Sequence, residues 1–180
     1  MTDNIPFNES LEKGPILGDG AMGTLLYQMA MKNDMKPVEE LCLSSPDSVR
    51  IAHIEYIRSG ATMIQTNTFA ANRDKLASFG MADSTSLINK VGIEIAKEAR
   101  RLTGQQVWIA GSVGPIGRHL EPVGVISIVS ARKFFQEQVD ALAEGGADLI
   151  ILETFSDLRE VELAAAAATT ACLPLSLIHI

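Results

Sequence analysis

Four short apolar runs recur along this chain, and each stops at polar residues. Pro15, Ile16 and Leu17 lead into Asp19 within ILGDGAMGT (Ile16–Thr24), and MIQTNTF (Met63–Phe69) leads to Thr66 and Asn67. VWIAGSVGP (Val107–Pro115) reaches Ser112 and a glycine turn, and LIILETF (Leu149–Phe155) ends in Glu153 and Thr154. Helical patterns separate the runs, so the order reads strand–helix four times. Strands in that order pair in parallel through right-handed helical crossovers. The fold class is therefore α/β, with the functional site at the carboxyl ends of the strands.

The helices carry their own start and stop signals. The first begins at Ser45-Pro46-Asp47, which supplies an N-cap, a first-position proline and an acid for the positive helix end. Val49, Ala52, His53, Tyr56 and Ile57 trace its inner stripe, and Gly60 stops it. The second runs from about Ser84 to Leu102 with Ile88, Val91, Ile95 and Ala99 inside, closed by Gly104. The third is expected to start at Ser130, to bury Phe134, Phe135, Val139 and Leu142, and to end at Gly145-Gly146. The fourth follows Ser156, with Leu158, Val161 and Ala165 inside.

The chain has 180 residues, 47% of them hydrophobic, and a net charge of −7. One core fits that length. The acidity excludes a nucleic-acid-binding surface, which needs a basic face. No apolar run approaches the ~18 residues that cross a membrane. Met1 to Gly14 is a polar segment without a basic start and an apolar block, so no secretion signal is read there. Cys42 and Cys172 form no recognisable pair, and a reduced, cytoplasmic protein is expected.

Four strand–helix units fall short of an eight-stranded barrel, which takes ~250 residues. Leu173 to Ile180 reads as the opening of a fifth strand. The pattern alone leaves two folds open: a small, complete, doubly wound domain of about five strands, or the N-terminal half of a (β/α)8 barrel.

The motifs themselves go further. DGAMGT (Asp19–Thr24), SGATMIQTNTFAANRDKL (Ser59–Leu76), GSVGPIG (Gly111–Gly117) and GGADLIILETFSDLREVELA (Gly145–Ala164) occur in one order. That set resembles the homocysteine S-methyltransferase domain, and it looks most similar to the bacterial type fused to a methylenetetrahydrofolate reductase. The resemblance spans about Ile16 to Thr170. It implies the N-terminal half of a (β/α)8 TIM barrel, with four βα units and the start of a fifth strand. Residues 15–174 would form the partial homocysteine-binding domain, after the polar segment 1–14. Residues 175–180 match the family poorly and are set aside as a doubtful tail.

The resemblance also implies methyl transfer to a zinc-bound homocysteine thiolate, giving methionine. Zinc lowers the thiol pKa, which is otherwise about 8.5. The family's three zinc-binding cysteines would lie after Ile180, and neither Cys42 nor Cys172 matches a ligand position. No metal ligand is therefore assigned here, and this piece alone is expected to turn over little or nothing. The methyl donor stays open between a methylated folate and S-methylmethionine. Half a barrel exposes strand edges, so aggregation or pairing with a second copy is expected.

What this half would hold is the amino-acid end of homocysteine. Asp19 and Glu153 are the candidate partners of its ammonium. The backbone N–H groups of Gly20, Ala21 and Met22 are candidates for its carboxylate. Thr66 and Asn67 either line the pocket or make strand-end hydrogen bonds to the next loop. Ser112 and Gly114-Pro115-Ile116-Gly117 shape the rim. GSVGPIG has its glycines at the wrong places for a dinucleotide fingerprint, and DGAMGT lacks the Lys-Ser/Thr of a phosphate loop. His53 reads as a packed histidine and His119 as a solvated loop residue. Two other functions fit the residues: a different barrel enzyme such as a lyase, and a non-catalytic amino-acid-binding domain.

Overall fold

A computed structural model of the chain describes residues 7–29 and 36–178. Its helices are α1 (Phe7–Lys13), α2 (Met22–Met29), α3 (Leu41–Ser44), α4 (Pro46–Arg58), α5 (Arg73–Ala77), α6 (Thr85–Thr103), α7 (Ile128–Gly145) and α8 (Leu158–Thr170). The strands are β1 (Met63–Gln65), β2 (Trp108–Val113), β3 (Leu149–Glu153) and β4 (Leu175–Ile178). They form one sheet in the order β1-β2-β3-β4, every pair parallel.

That order decides between the two folds left open above. A doubly wound sheet reverses its strand order and carries helices on both faces. Here each strand pairs with the next in sequence, and the long helices share one face. Ile64, Ile109, Val113, Ile150 and Leu152 point into that helix layer, where they meet Ile57, Ile93, Phe135, Leu142 and Ala164. The alternate residues Met63, Trp108, Ala110, Leu149 and Ile151 point the other way and meet Phe7 of α1 and Ile16. Phe7 packs edge-on against Trp108 with ring centroids 5.5 Å apart. The period of two therefore separates a helix-facing layer from an inner face, as in a singly wound barrel sheet. Gln65, Ser112 and Glu153 continue the inner face at the carboxyl ends.

Several expectations need correction. The first apolar run is not a regular strand: Gly18 makes an isolated parallel bridge to Met63, and the Leu17 carbonyl accepts from Thr62 and Met63 N–H. Two glycines flanking Asp19 limit the pairing to this one bridge. The third helix starts at Ile128, because Ser127 rather than Ser130 is the N-cap; its hydroxyl accepts the Ser130 N–H. Ser45 does precede α4, but its hydroxyl pairs with that of Ser48 instead of capping an N–H. On α8 the buried face is Glu160, Leu163, Ala164, Ala167 and Ala168, while Leu158 is 72% exposed. The expected Val161 and Ala165 do pack against the core, and Glu160 is anchored by accepting the Ile116 N–H. Gly104 and Gly146 close α6 and α7 in left-handed conformation, as their positions predict.

Residues 175–178, set aside in the sequence, pair with Ile150–Glu153. His179 and the last residue lie outside the described residues, as do residues 1–6 of the polar segment, whose remainder includes α1. No helix among the described residues is long and apolar enough to cross a membrane.

Candidate active site

The carboxyl ends of the strands open onto a cavity of about 650 Å³. Asp19, Gly20, Ala21, Thr66, Asn67 and Glu153, the six candidates named from sequence, all line it. So do Met22, Gly23, Val38, Glu39, Gln65, Phe69, Ser112 and Thr154. Three of these fourteen residues carry carboxylic acids and none is basic, so the lining is acidic.

Asp19 follows the Gly18 bridge, so its side chain emerges at the mouth of β1. Its Oδ2 accepts the Gln65 N–H at 2.9 Å. Its Oδ1 is buried and has no hydrogen-bond partner. Burial pushes the carboxyl pKa up to about 6, and the nearby Glu153 charge adds to the rise. A buried carboxylate oxygen without a donor is costly, and a cationic ligand would remove that cost. Across the inner face, Glu153 ends β3, and Ser112 at the end of β2 donates its hydroxyl to Glu153 Oε1 at 2.7 Å. Ser112 thus positions Glu153 rather than merely shaping the rim. The next residue, Thr154, has φ = 63°, a left-handed conformation rare for a β-branched residue.

Gly20 and Ala21 run from Asp19 into α2. A Cβ at Gly20 would stand 3.0 Å from the Tyr56 ring, and Tyr56 donates its hydroxyl to the Ala21 carbonyl at 3.0 Å. A side chain there would press on Tyr56, whose ring would have to shift by a few tenths of an ångström. Gly23 has open space beside it and meets no such demand. The first N–H groups of α2, from Met22 onward, have no carbonyl inside the helix to pair with.

Thr66 and Asn67 are committed to the protein. The Thr66 hydroxyl pairs with that of Thr68 at 2.7 Å and accepts the Ser112 N–H at 3.2 Å. Asn67 Nδ2 donates to the Val38 carbonyl at 2.8 Å. Both side chains line the cavity and also bond to neighbouring loops, so the two roles open to them from sequence coincide. Thr68 is held in turn by the Ser112 carbonyl and by buried Gln138, which donates to the Thr68 carbonyl at 2.7 Å.

Glu39 escaped the sequence reading. It lies in a 3-10 turn, Val38–Glu40, and is only 6% exposed. Its Oε1 accepts the Ala70 N–H at 2.8 Å. Together with Asn67–Val38, this bond seals the turn onto the loop after β1. Phe69 lines the same wall, where Gly114 makes room for it: a Cβ at Gly114 would come within 2.3 Å of the ring.

The residues present do not fit a zinc ion. Among the described residues, no three His, Cys, Asp or Glu side chains gather as a metal group requires. Cys42 is buried behind the wall, its thiol donates to the Asn67 carbonyl, and burial raises its pKa to about 12. Cys172 is exposed at the end of α8. His53 is fully buried on α4 with neither ring nitrogen bonded, and His119 is exposed.

Comparison with known proteins follows the same lines. The homocysteine S-methyltransferase family profile matches residues 16–178. The chain is 31% identical over 164 residues to methionine synthase of Mycobacterium leprae (strain TN), covering 87% of this chain and 14% of that protein. It is also 31% identical over 178 residues to homocysteine S-methyltransferase of Escherichia coli (strain K12), covering 90% and 57% respectively. The metallated form of the homocysteine methyltransferase MmuM from Escherichia coli superposes with a TM-score of 0.80 at 26% identity. That match covers 94% of this chain and 64% of the neighbour. The apo form gives a TM-score of 0.71. The chain thus spans less than two thirds of the length of each of these relatives. The Gly18 bridge followed by α4, the three strand–helix units from β1 to α8 and the final strand β4 form the N-terminal part of a TIM barrel. The chain belongs to the homocysteine S-methyltransferase family.

Proposed function

We propose that this chain is the amino-acid-holding part of a homocysteine S-methyltransferase. The observation that carries the proposal is Asp19 Oδ1, a buried oxygen without a partner, in a cavity that also holds Glu153. In this reading the two carboxylates receive the α-ammonium of homocysteine. The backbone N–H groups of Gly20, Ala21 and Met22 receive its carboxylate. Thr66, Asn67 and Ser112 keep the cavity wall and Glu153 in place. The thiol end points away from these groups, toward polypeptide that completes the barrel. Zinc, where the complete enzyme binds it, supplies a thiolate at neutral pH. No zinc-binding role falls to residues of this chain, and the methyl-transfer step is not expected from it alone.

Calorimetric titration tests the proposal. L-homocysteine is expected to bind without added metal, and 4-mercaptobutyrate, which lacks the ammonium, is expected not to bind. Equal binding of the two would overturn it. The acidic cavity lacks the lysine or phosphate-binding loop that a lyase acting on phosphorylated substrates needs. A reduced cytoplasmic setting belongs to the same reading, supported by two free cysteines. So does self-association through β4, which lies at the end of the sheet order.

A further inference from the structure

Tyr56 stands outside the cavity and touches the turn that lines it. Asp19, Gly20, Ala21 and Met22 are lining residues, and Tyr56 is not among them. It belongs to α4, and its ring packs against the main core and beside Gly20. Its hydroxyl donates to the Ala21 carbonyl at 3.0 Å, across 35 positions of sequence. Burial, followed by the charges of Asp19 and Glu55, pushes the phenol pKa up, so the hydroxyl is a donor at neutral pH.

The peptide joining Ala21 to Met22 is trans. A trans peptide is planar, and its C=O and N–H point in opposite directions. The Ala21 carbonyl is turned to Tyr56, behind the turn, so the Met22 N–H of the same peptide is turned away from Tyr56. That N–H opens α2 and has no carbonyl inside the helix to pair with. We propose that Tyr56 is a positioning residue for the substrate: its bond to the Ala21 carbonyl fixes the plane of the Ala21–Met22 peptide and so aims the Met22 N–H at the carboxylate of homocysteine. The assignment rests on the amino-acid-holding reading above, and it names what orients the carboxylate half of that site. Binding groups held by hydrogen bonds from behind lose less freedom when the ligand arrives.

Tyr56→Phe removes the hydroxyl and keeps the ring. Two thiols separate the carboxylate from the ammonium: L-homocysteine, and 3-aminopropane-1-thiol, which is the same molecule without its carboxylate. In calorimetric titration of the 180-residue chain, Tyr56→Phe is expected to bind L-homocysteine about five- to tenfold more weakly than the wild type. It is expected to bind 3-aminopropane-1-thiol within about twofold of the wild type. A merely structural role would weaken both alike. Tyr27→Phe removes a hydroxyl from an exposed residue of α2 and is expected to change neither affinity. Thermal unfolding checks that both variants are folded. NMR reads the bond without any ligand: the Ala21 carbonyl carbon and the Met22 amide are expected to shift in Tyr56→Phe. An unchanged L-homocysteine affinity, an equal loss for the two thiols, or an unmoved Ala21 carbonyl would overturn the proposal. A wild-type chain that binds neither thiol, while the Ala21 carbonyl still responds to loss of the hydroxyl, would remove the amino-acid reading and leave the tether standing.

Discussion

Asp148 and Asp19 are both aspartates at strand ends, and their surroundings differ in one decisive respect. Asp148 stands at the amino end of β3. Its Oδ2 accepts both the Ile109 N–H at 2.8 Å and the Arg100 guanidinium at 2.9 Å, and Arg100 also donates to the Val107 carbonyl. Asp19 stands at the opposite end of the sheet, with one oxygen bonded to Gln65 N–H and the other buried without a donor. The first aspartate is neutralised by the fold and stitches β2, β3 and α6 together. The second keeps one oxygen that the fold leaves without a donor, at the cavity. On the proposed reading, the α-ammonium of homocysteine completes the hydrogen bonding that the fold leaves incomplete at Asp19.

The largest expected effect separates the two on ligand affinity. Asp19→Asn should weaken L-homocysteine binding by about 2–4 kcal/mol, or roughly 30- to 1,000-fold, since it removes the buried partner of a charge. Asp148→Asn should leave that affinity within about twofold. A large loss for Asp148→Asn, with none for Asp19→Asn, would reverse the comparison.

Stability should separate them in the opposite sense. Asp148→Ala strands the Ile109 N–H and unpairs Arg100, and should cost about 1–3 kcal/mol in urea unfolding. Asp19→Asn relieves a buried charge and should cost nothing or stabilise the chain at pH 7.

The pH dependence sharpens this. The folded pKa of Asp19 is raised from 3.8 to about 6. The folded state therefore holds its proton more tightly than the unfolded chain does, and stability falls as pH rises through roughly 4 to 6. His53 runs the other way. Burial lowers its pKa from 6.5 to about 4, so the unfolded chain takes up protons first and stability falls as pH drops from 6.5 to 4. Each effect amounts to about 3 kcal/mol at most. In the wild type they nearly cancel between pH 4 and 6. Glu39 and Glu160, whose carboxyls burial also raises, act in the same sense as Asp19 in both chains, so stability should rise more steeply with pH across that window in Asp19→Asn than in the wild type. A wild-type-like profile in the variant would show that Asp19 titrates normally.

These two aspartates also show why parts of the molecule were legible from sequence. Asp19 and Glu153 each follow an apolar run directly, so local order places them at the sheet's carboxyl end. Gly104 and Gly146 mark helix ends by the same local logic. Glu39 gives no such signal. In VEELCL it resembles a solvated charge at a helix start, and its burial arises from Asn67 and Ala70, about 30 residues away. The strand expected at Ile16 shrank to a bridge because flanking glycines do not sustain pairing. On α8 the expected Val161 and Ala165 do pack against the core, whereas Leu158 faces out and Glu160, anchored by the distant Ile116, is buried instead. The resemblance to a known family settled the barrel in advance, and the physical reason is the sequential parallel order of the sheet, which apolar periodicity alone does not encode.

The smallest expected effect concerns backbone strain and extends the comparison to a third place. At the ends of α6 and α7, left-handed conformations fall to glycine, with φ = 66° at Gly104 and 85° at Gly146, while past the end of α8 one falls to Cys172, φ = 55°. At the cavity, nearly the same conformation falls to Thr154, with φ = 63°. A β-branched residue there costs free energy that glycine does not. Thr154→Gly should therefore stabilise the chain by up to about 1 kcal/mol, reduced by the greater freedom glycine gives the unfolded state. It should also loosen the link between Glu153 and α8, so that homocysteine affinity falls by a few-fold at most. A stability gain with reduced affinity would mean that the strain at Thr154 holds Glu153 in its binding position. A stability loss would mean that the threonine side chain contributes contacts worth more than the strain.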